Sequence, residues 1–365
     1  MHEAGWRDAL RGRRVFVTGA SGFIGRRLVP ALAASGAAVT VLARSRAAAR
    51  GLPPGVRVLP GSLAPGTDLA AALAGQEVLL HLAYDLRAAP AANLAAFDLL
   101  ADAAARAAVG RIVHASSIVV YDGWPGGDLD EASPWGGSGG SGYRAVKIAM
   151  ERRLLAGTLP AAILQPTIVY GPGSALWTDS FALALARGAV VVPEPEGLCN
   201  GVFVDDVVQA ALRAAALPDL GHERFIVSGP EPFAWSALIE GYAAILGRGE
   251  LRRVPEAELR ARLGPRPAPA GPAAAPPLAA RISAGARRLI GHRRFEALTS
   301  ALRQGLDRDG VMYPDHHLLD EMTRRGRCRI DHACARLGYA PDHNLARGLT
   351  ATADYLRSRH PDRRA

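Results

Sequence analysis

Two side chains four residues apart have the chemistry for proton transfer. The spacing of Tyr143 and Lys147 puts both on one face of an α-helix. A free tyrosine has a pKa of about 10, too high for a base at neutral pH, but a neighbouring ammonium favours the phenolate and lowers that pKa. The pair therefore predicts a catalytic acid or base at Tyr143, assisted by Lys147.

Lys147 is also the only lysine of the chain. Of the 43 lysine and arginine residues, one is lysine and 42 are arginine. Arginine cannot replace lysine where a compact ammonium with an adjustable pKa is needed. The composition therefore indicates a specific requirement for lysine at this position.

Two serines end a predicted strand upstream of that pair. Ser116 and Ser117 lie where the carboxyl ends of parallel strands bind ligands. A hydroxyl there could hydrogen-bond a substrate carbonyl or hydroxyl beside Tyr143. We take Ser117 as the catalytic candidate and interpret Ser116 as structural.

A glycine-rich turn is predicted between the first strand and the first helix. Glycines let the backbone approach a pyrophosphate, and the helix N-terminus offers free N–H groups. This context predicts a dinucleotide site rather than a merely structural turn. The residues of this turn expected to contact the dinucleotide are Gly19, Ser21, Gly22, Phe23, Ile24 and Gly25. Tyr143 and Lys147 are expected to contact it as well, with the lysine hydrogen-bonding the nicotinamide ribose.

The end of the second predicted strand bears on the choice of cofactor. An acidic residue there binds the 2′-hydroxyl of NAD, whereas an arginine suits the 2′-phosphate of NADP. Here Ala43 is followed by Arg44 and Arg46. The sequence favours NADP(H) over NAD(H); the alternative is two solvated arginines on a loop.

Alternating strands and helices predict an α/β fold, a Rossmann-type doubly wound parallel sheet. Helices are expected from the glycine turn to about residue 35, at 94–108, at 143–155 and, with an interruption, at 330–358. Strands are expected at 14–18, 39–43, 56–59, 77–83, 111–116, 161–169 and 225–228.

These motifs together resemble the extended short-chain dehydrogenase/reductase family, the NAD-dependent epimerase/dehydratase group. The matching stretches are TGASGFIG, LLHLAY, Asn93 before the long helix, HASSIVVYD, YRAVK, PTIVYGPG and VFVDDVV. The resemblance implies a nicotinamide-dependent enzyme that moves a hydride, with Ser117 catalytic and with His81, Leu82, Ala83 and Tyr170 lining the cofactor. It also implies a smaller C-terminal substrate-binding domain and pairing as a homodimer through the helices at 94–108 and 143–155.

Composition and the resemblance divide the chain into two predicted domains. Residues 1–172 are expected to bind NAD(P), with 199–229 returning to that domain, and 173–365 to form mainly the substrate-binding domain. The chain has 20 basic and 21 acidic side chains up to residue 246, but 23 and 13 after it. The basic excess therefore lies in this last part, which contains a proline-rich, basic insertion at about 252–327. We expect this insertion outside the Rossmann sheet and bordering the substrate.

Two departures from the family pattern limit the chemistry. At Ser117-Ile118-Val119 the chain lacks the acidic residues that dehydratases and decarboxylases of the resembling family carry at this turn. Asn200 stands near the position where many sugar-nucleotide members have an arginine, and Asp205 and Asp206 are expected to cap the next helix.

Three functions remain open. The first is a sugar-nucleotide-type epimerase or ketoreductase acting on a small, anionic or nucleotide-linked substrate. The second is an NADP(H)-dependent reductase or dehydrogenase of a non-sugar alcohol or ketone, similar to 3β-hydroxysteroid dehydrogenase. The third is a catalytically silent dinucleotide-binding protein.

Other classes of protein are disfavoured. The sequence has no apolar run of the roughly 18–20 residues that span a bilayer, and no apolar secretory segment at its start. Three cysteines without framework spacing fit reduced thiols in the cytoplasm. The near-neutral first part argues against nucleic-acid binding, and His316-His317 lacks a third residue spaced to hold a metal.

Overall fold

A computed structural model describes residues 3–45, 50–121, 127–136, 142–266 and 310–361. These residues form two compact units, and neither unit is one continuous segment. The first unit contains the described residues of Met1–Tyr170, Asn200–Glu231 and Gly326–Asn344; the second contains those of Gly171–Cys199, Pro232–Arg325 and Leu345–Ala365.

A seven-stranded, entirely parallel sheet organises the first unit. Its strands are β1 (Arg14–Thr18), β2 (Ala38–Ala43), β3 (Arg57–Pro60), β4 (Val78–His81), β5 (Arg111–Ala115), β6 (Ala161–Pro166) and β11 (His222–Val227). The spatial order is β11-β6-β5-β4-β1-β2-β3. This order reverses direction beside β1, as in doubly wound dinucleotide-binding sheets, and confirms the predicted fold class.

Helices cover both faces of this sheet. Buried apolar side chains of α1 (Glu3–Leu10), α2 (Gly25–Ala34), α7 (Val204–Ala216) and α11 (Asp331–Leu337) pack on one face. Those of α3 (Leu69–Leu73), α4 (Pro90–Arg106) and α5 (Gly142–Leu155) pack on the other. Strands buried on both faces explain the continuous apolar runs of the sequence.

The strand predicted over 161–169 is in fact two strands. β6 ends at Pro166, and β7 (Ile168–Tyr170) pairs instead with β10 (Gly201–Phe203). Between them the N–H of Thr167 donates to the carbonyl of Val227, and that of Ile168 to the carbonyl of Asn200. The prediction of one strand was wrong because the chain changes hydrogen-bonding partner at Thr167.

The second unit is built on a small sheet that the sequence did not predict. β8 (Ala189–Glu194) pairs in parallel with β13 (Glu250–Pro255) and β14 (Val311–Met312). β9 (Leu198–Cys199) and β12 (Phe233–Ala234) form a short antiparallel pair. The helices are α6 (Ser180–Arg187), α8 (Trp235–Leu246), α9 (Glu256–Leu263), α10 (His316–Thr323) and α12 (Leu345–Arg359).

The basic insertion is described only at its ends. Residues 252–266 and 310–325 belong to the second unit, outside the seven-stranded sheet. Arg281, Arg287, Arg288, Arg293 and Arg294 lie outside the described residues. None of the helices in the described part of the chain is long and apolar enough to cross a membrane.

Candidate active site

Three consecutive residues at the end of β5 contact three successive turns of α5. Ser117 hydrogen-bonds Tyr143. The carbonyl of Ala115 accepts a hydrogen bond from Lys147, and the hydroxyl of Ser116 donates to Glu151. Because Tyr143, Lys147 and Glu151 are spaced by four residues, they share one helix face that points at this strand end. Ser117, Tyr143 and Lys147 are therefore brought together, as the sequence predicted.

Tyr143 is half-buried at the start of α5. Burial raises the pKa of its phenol to about 12, and the hydrogen bond from Ser117 only partly opposes this. The sequence-based expectation that Lys147 lowers this pKa does not hold in the structure. The Lys147 ammonium lies 5.7 Å from the centre of the Tyr143 ring and donates to a carbonyl instead. Tyr143 consequently holds its proton at neutral pH.

Ser117 lies in extended backbone between β5 and a short 3₁₀ turn over Ile118–Val120. Its Oγ accepts a hydrogen bond of 3.3 Å from the N–H of Val119 and thereby caps that turn. The cap fixes the side chain close to the Tyr143 hydroxyl. A substrate oxygen placed beside both hydroxyls would accept two hydrogen bonds at once.

Lys147 is almost completely buried. Its Nζ donates to the Ala115 carbonyl oxygen at 2.6 Å. Burial lowers the pKa of its ammonium to about 8, and the charge of Glu151 opposes that shift. The buried ammonium therefore loses its proton more easily than the ammonium of a solvated lysine does.

Tyr84 is a further aromatic residue at the site, and sequence reasoning did not single it out. It packs edge-to-face against Tyr143 with 4.8 Å between ring centres. Its own ring faces the Lys147 ammonium at 5.3 Å, a cation–π distance. Its position soon after β4 in LLHLAY was the only available signal.

A buried network around Glu151 lies behind these residues and was also missed. Trp135 Nε1 donates to the carboxylate at 3.1 Å, and Gln165 Nε2 lies 3.0 Å from both of its oxygens. Tyr121 Oη donates to Gln165 Oε1 at 2.7 Å. Single polar residues on four different segments show no pattern in sequence.

The glycine loop is shaped to receive a phosphate group. Gly19 has φ +79°, and a Cβ there would lie 2.7 Å from the backbone of both Leu82 and Ala83. A Cβ on Gly25 would overlap the Gly19 carbonyl oxygen. α2 begins at Gly25 without a side-chain cap and without an acidic residue in its first turn. This bare helix start fits a pyrophosphate, with Ser21, Gly22, Phe23 and Ile24 in the same turn.

The remaining residues implied to line a cofactor lie at or near strand ends. His81 is buried, with its Nδ1 2.7 Å from Thr18 Oγ1, so its ring belongs to the core beneath the loop. Leu82 and Ala83 present their backbone to the glycine loop. Tyr170 ends β7, is buried, and packs against Phe203.

The second strand ends at Ala43, the residue at which the sequence predicted its end. Arg44 follows it and is 70% exposed in its side chain, with Nη1 3.5 Å from the Asp85 carboxylate. Arg46 lies outside the described residues. A solvated guanidinium at this strand end is able to approach a ribose phosphate.

Asn200 and the two aspartates that follow it have structural contacts. The Asn200 amide donates to the Gly326 carbonyl at 3.0 Å and accepts from the Cys328 N–H at 2.8 Å. Asp206 accepts from the N–H groups of Asp342 and His343.

Asp205 pairs instead with Arg27 of α2. The expected capping role was wrong for both aspartates, because α7 begins after Phe203 without a side-chain cap.

Comparisons with known proteins place these features in a family. Residues 15–228 match the family described as NAD dependent epimerase/dehydratase. The 4-hydroxy-2-methyl-3-oxo-4-farnesyl-3,4-dihydroquinoline-1-oxide ketoreductase of Stigmatella aurantiaca is 34% identical over 169 residues, 43% of this chain and 51% of that protein. This chain therefore spans about half the length of that relative.

Two further similarities are broader. The ceramide reductase of Caulobacter vibrioides is 28% identical over 253 residues, 66% of this chain and 74% of that protein. Among solved structures, MoeE5 in complex with UDP-glucose and NAD is similar in fold, with a TM-score of 0.67 and 23% identity over 95% of this chain and 99% of that one. Since the family match spans more than half of the sequence and includes the glycine loop, Ser117, Tyr143 and Lys147, the chain belongs to the NAD-dependent epimerase/dehydratase family.

Proposed function

We propose that this nicotinamide-dependent enzyme is a ketoreductase, with Tyr143 as its acid, Ser117 as the second hydrogen-bond donor and Lys147 as the assisting cation. The observation that carries the proposal is the hydrogen bond between Ser117 and a Tyr143 whose pKa is raised to about 12. A tyrosine that keeps its proton at neutral pH is suited to donate it. Reduction of a ketone needs such a donor.

The chemistry follows from the positions of the two hydroxyls. A substrate carbonyl oxygen bound between Ser117 Oγ and Tyr143 Oη would be polarised by both donors. The carbonyl carbon would receive a hydride, which is the chemistry that a nicotinamide held at this site would supply. As negative charge develops on the oxygen, Tyr143 transfers its proton to it, and the product is a secondary alcohol.

Lys147, whose ammonium lies 5.7 Å from the centre of the Tyr143 ring, is the cation that we propose to assist this transfer. The glycine loop, the start of α2 and the backbone of Leu82 and Ala83 would hold the dinucleotide.

The substrate we propose is a ketone without a nucleotide. Both hydrogen-bonding ends of the Asn200 amide are used within the protein, so this side chain does not replace the arginine that holds a diphosphate in sugar-nucleotide members. The similar proteins of Stigmatella and Caulobacter are named as reductases of a farnesylated quinoline oxide and of ceramide. Both names describe substrates with a large apolar part.

A sugar-nucleotide epimerase is the second candidate. The family name includes epimerases, and the fold is shared with MoeE5, which is described with UDP-glucose and NAD. An epimerase needs the same tyrosine, serine and lysine, because it removes and returns a hydride at one carbon. It differs in consuming no cofactor over a complete turnover.

The two candidates separate in one assay. Purified protein would be incubated with NADPH or NADH and a panel of long-chain and aromatic ketones, while the absorbance of the reduced cofactor is followed. We expect net oxidation of the cofactor with at least one apolar ketone. Interconversion of UDP-glucose and UDP-galactose without added cofactor, and no activity with any ketone, would favour the epimerase.

We also propose that NADP(H) is preferred over NAD(H). The support is the absence of an acid at Ala43 and the exposed guanidinium of Arg44 at the same strand end. Arg44→Ala should weaken NADPH binding roughly ten- to a hundredfold, since a charge-assisted hydrogen bond contributes about 1.5–3 kcal/mol, and should leave NADH binding almost unchanged. Arg57→Ala, an exposed arginine on β3, is the matched control in fluorescence titrations. Equal losses for both cofactors would contradict the preference.

The pairing as a homodimer through α4 and α5 stays a prediction. Sedimentation velocity is the direct measurement.

A further inference from the structure

Glu151 is a buried acidic residue that the proposed chemistry does not use. It follows Lys147 by one helical turn and has 0% of its surface exposed. A carboxyl group without water is costly to bury unless protein groups replace the lost hydration. Its position one helical turn after Lys147 suggests that the buried carboxyl group acts on the catalytic pair.

Three side-chain donors surround the Glu151 carboxyl. They are the Ser116 hydroxyl, the Trp135 indole N–H at 3.1 Å and the Gln165 amide at 3.0 Å. Gln165 is held in turn by Tyr121, whose hydroxyl donates to the Gln165 carbonyl oxygen and so orients the amide N–H₂ toward Glu151. A set composed only of donors fits an ionised carboxylate, because a carboxylic acid would bring a proton of its own.

The same strand end holds Glu151 and Lys147 together. The carbonyl of Ala115 accepts from Lys147, and the next residue, Ser116, donates to Glu151. Two adjacent residues of the chain therefore fix two successive turns of α5. Glu151 and Lys147 are thus linked both through the helix and through the strand end.

The charges around the pair come from several elements. Lys147 faces the rings of Tyr84 and Tyr143, and its charge acts on His81 and His114 of β4 and β5. Burial lowers the pKa of both histidines, so neither supplies a positive or a negative charge at neutral pH. Glu151 is thus the carboxylate that favours the ammonium form of Lys147.

Two groups on other elements also act on the network around Glu151. Burial raises the pKa of the Glu151 carboxyl, and its hydrogen bonds and the charge of Arg224 on β11 oppose that shift. The Arg224 guanidinium lies 5.0 Å from the centre of the Trp135 ring. Tyr121 stays neutral because burial raises its pKa. The carboxylate therefore interacts with two positive groups, Lys147 on the same helix and Arg224 on β11.

We propose that Glu151 is a positioning residue, whose carboxylate, fixed by Ser116, Trp135 and Gln165, keeps Lys147 protonated and in place at the Ala115 carbonyl. The proposal deepens the proposed function, since it rests on Lys147 being the assisting cation. Without this counter-charge, burial alone would act on the ammonium, and Lys147 would lose its proton at a lower pH.

The sequence makes the decisive measurement simple, because Lys147 is the only lysine of the chain. Protein labelled with ¹³C and ¹⁵N in lysine alone gives one side-chain NMR signal, whose pH titration reports this ammonium directly. We expect Glu151→Gln to lower the titration midpoint by about one pH unit or more, a tenfold change in the protonation equilibrium. Ser116→Ala, which keeps the charge but removes one donor, should lower it by less.

Glu258→Gln, an exposed glutamate on α9, is the matched control for the loss of one negative charge and should leave the midpoint unchanged. An unchanged midpoint in folded Glu151→Gln protein would overturn the proposal. If that variant does not fold, Ser116→Ala and Trp135→Phe decide in its place: a lowered midpoint in either supports the role, and wild-type midpoints in both overturn it.

The pH profile of turnover separates this proposal from the proposed function. If Lys147 assists catalysis, the basic limb of kcat/KM should follow the NMR midpoint in wild type and variants alike. A midpoint that moves while the profile stays fixed would support the role of Glu151 and refute that of Lys147. If the wild-type protein turns over no ketone, the proposed ketoreductase function is refuted, but the effect of Glu151 on the Lys147 titration still stands.

Discussion

Tyr143 and Lys147 respond to burial in opposite directions, and the two effects favour one catalytic state. A buried phenol keeps its proton and a buried ammonium tends to lose one, because low polarity penalises charge in both. The pKa of Tyr143 is raised to about 12 and that of Lys147 is lowered to about 8. Below pH 8 the site therefore holds a neutral acid beside a cation, the pairing that proton donation to a developing alkoxide requires.

Removing the Tyr143 hydroxyl tests this state. Tyr143→Phe should reduce kcat by at least about a hundredfold, within the range that one general acid contributes, and should leave cofactor affinity nearly unchanged. Steady-state kinetics and a fluorescence titration with NADPH measure the two effects. Tyr355→Phe, which removes a hydroxyl bonded to Asp179 in the second unit, is the matched control. Turnover above about one hundredth of the wild-type rate would show that another group donates the proton.

Residue types and spacing predicted Ser117, Tyr143, Lys147 and the glycine loop because each motif lies within a few consecutive residues. Tyr84, Glu151 and Gln165 were missed because they reach the site from separate elements. No local pattern distinguishes a buried glutamate on α5 from a solvated one. Only the packing of Trp135, Gln165 and Ser116 around it does so.

At the scale of elements, the turn from β1 to α2 depends on atoms approaching closely. The Gly25 backbone lies so near to Gly19 that a Cβ on Gly25 would overlap the Gly19 carbonyl oxygen and lie 2.8 Å from Ala20 Cα. Backbone atoms cannot move aside as a flexible side chain can. The helix start and the loop therefore have one compatible arrangement.

Gly25→Ala should consequently disturb both binding and stability. We expect at least a tenfold loss of dinucleotide affinity, and a fall of ~1–3 kcal/mol in the free energy of unfolding, as for other overpacked sites. Gly221→Ala is the control, because a Cβ there meets nothing within 4 Å. Titration with NADPH and urea unfolding give the two quantities. If Gly25→Ala and Gly221→Ala have the same NADPH affinity and the same free energy of unfolding, the loop accommodates the added methyl group.

β4 and β5 place two histidines side by side in the sheet, where they make the fold sensitive to acid. His81 and His114 pair in register, with ring centres 5.2 Å apart, and both are buried. Burial and the charge of Lys147 lower the pKa of His81 to about 3 and that of His114 well below its usual range. The unfolded chain takes up these protons near pH 6.5. Stability is therefore lost as the pH falls below 6.5.

From pH 6.5 to 5, His81 alone accounts for about 2 kcal/mol of this loss, at 1.36 kcal/mol for each pH unit. His114→Leu removes one of the two groups and should lose less stability than wild type between pH 7.5 and 5 in urea unfolding. His317→Gln, whose side chain is 60% exposed, should behave as wild type. The idea fails if His114→Leu and wild type lose the same stability.

Apolar runs, with predicted helices beside several of them, were sufficient to predict the strands of the seven-stranded sheet, although no helix was predicted on either side of β3. The sheet of β8, β13 and β14 was not predicted. β13 carries three charged residues and β14 has only two residues, whereas β8 is an apolar run that the prediction missed. The strands pair across long stretches of sequence, as Glu250 with Ala189 does. Register between distant segments is a property of packing rather than of local pattern.

At the scale of the whole molecule, the first unit is completed by segments that come late in the sequence. That unit takes up residues 200–231 and 326–344 after the chain has contributed to the second unit. These returning segments, together with α1 and α2, bury one face of the sheet. Val15, Val113 and Leu164 share a buried cluster with Phe225 of β11 and Leu337 of α11.

Truncation after Tyr170 should therefore fail to give a folded dinucleotide-binding domain, although the fragment contains the glycine loop and Tyr143. Without α7, β11 and α11, the apolar side chains of one sheet face would meet water, at about 25 cal/mol for each Å² exposed. We expect the fragment 1–170 to bind a hydrophobic dye and to show no cooperative urea transition. The fragment 1–344 retains every segment of the first unit and should still bind NADPH. A cooperative transition and NADPH binding in the fragment 1–170 would show that β1–β6 and the helices α1–α5 are sufficient for the fold.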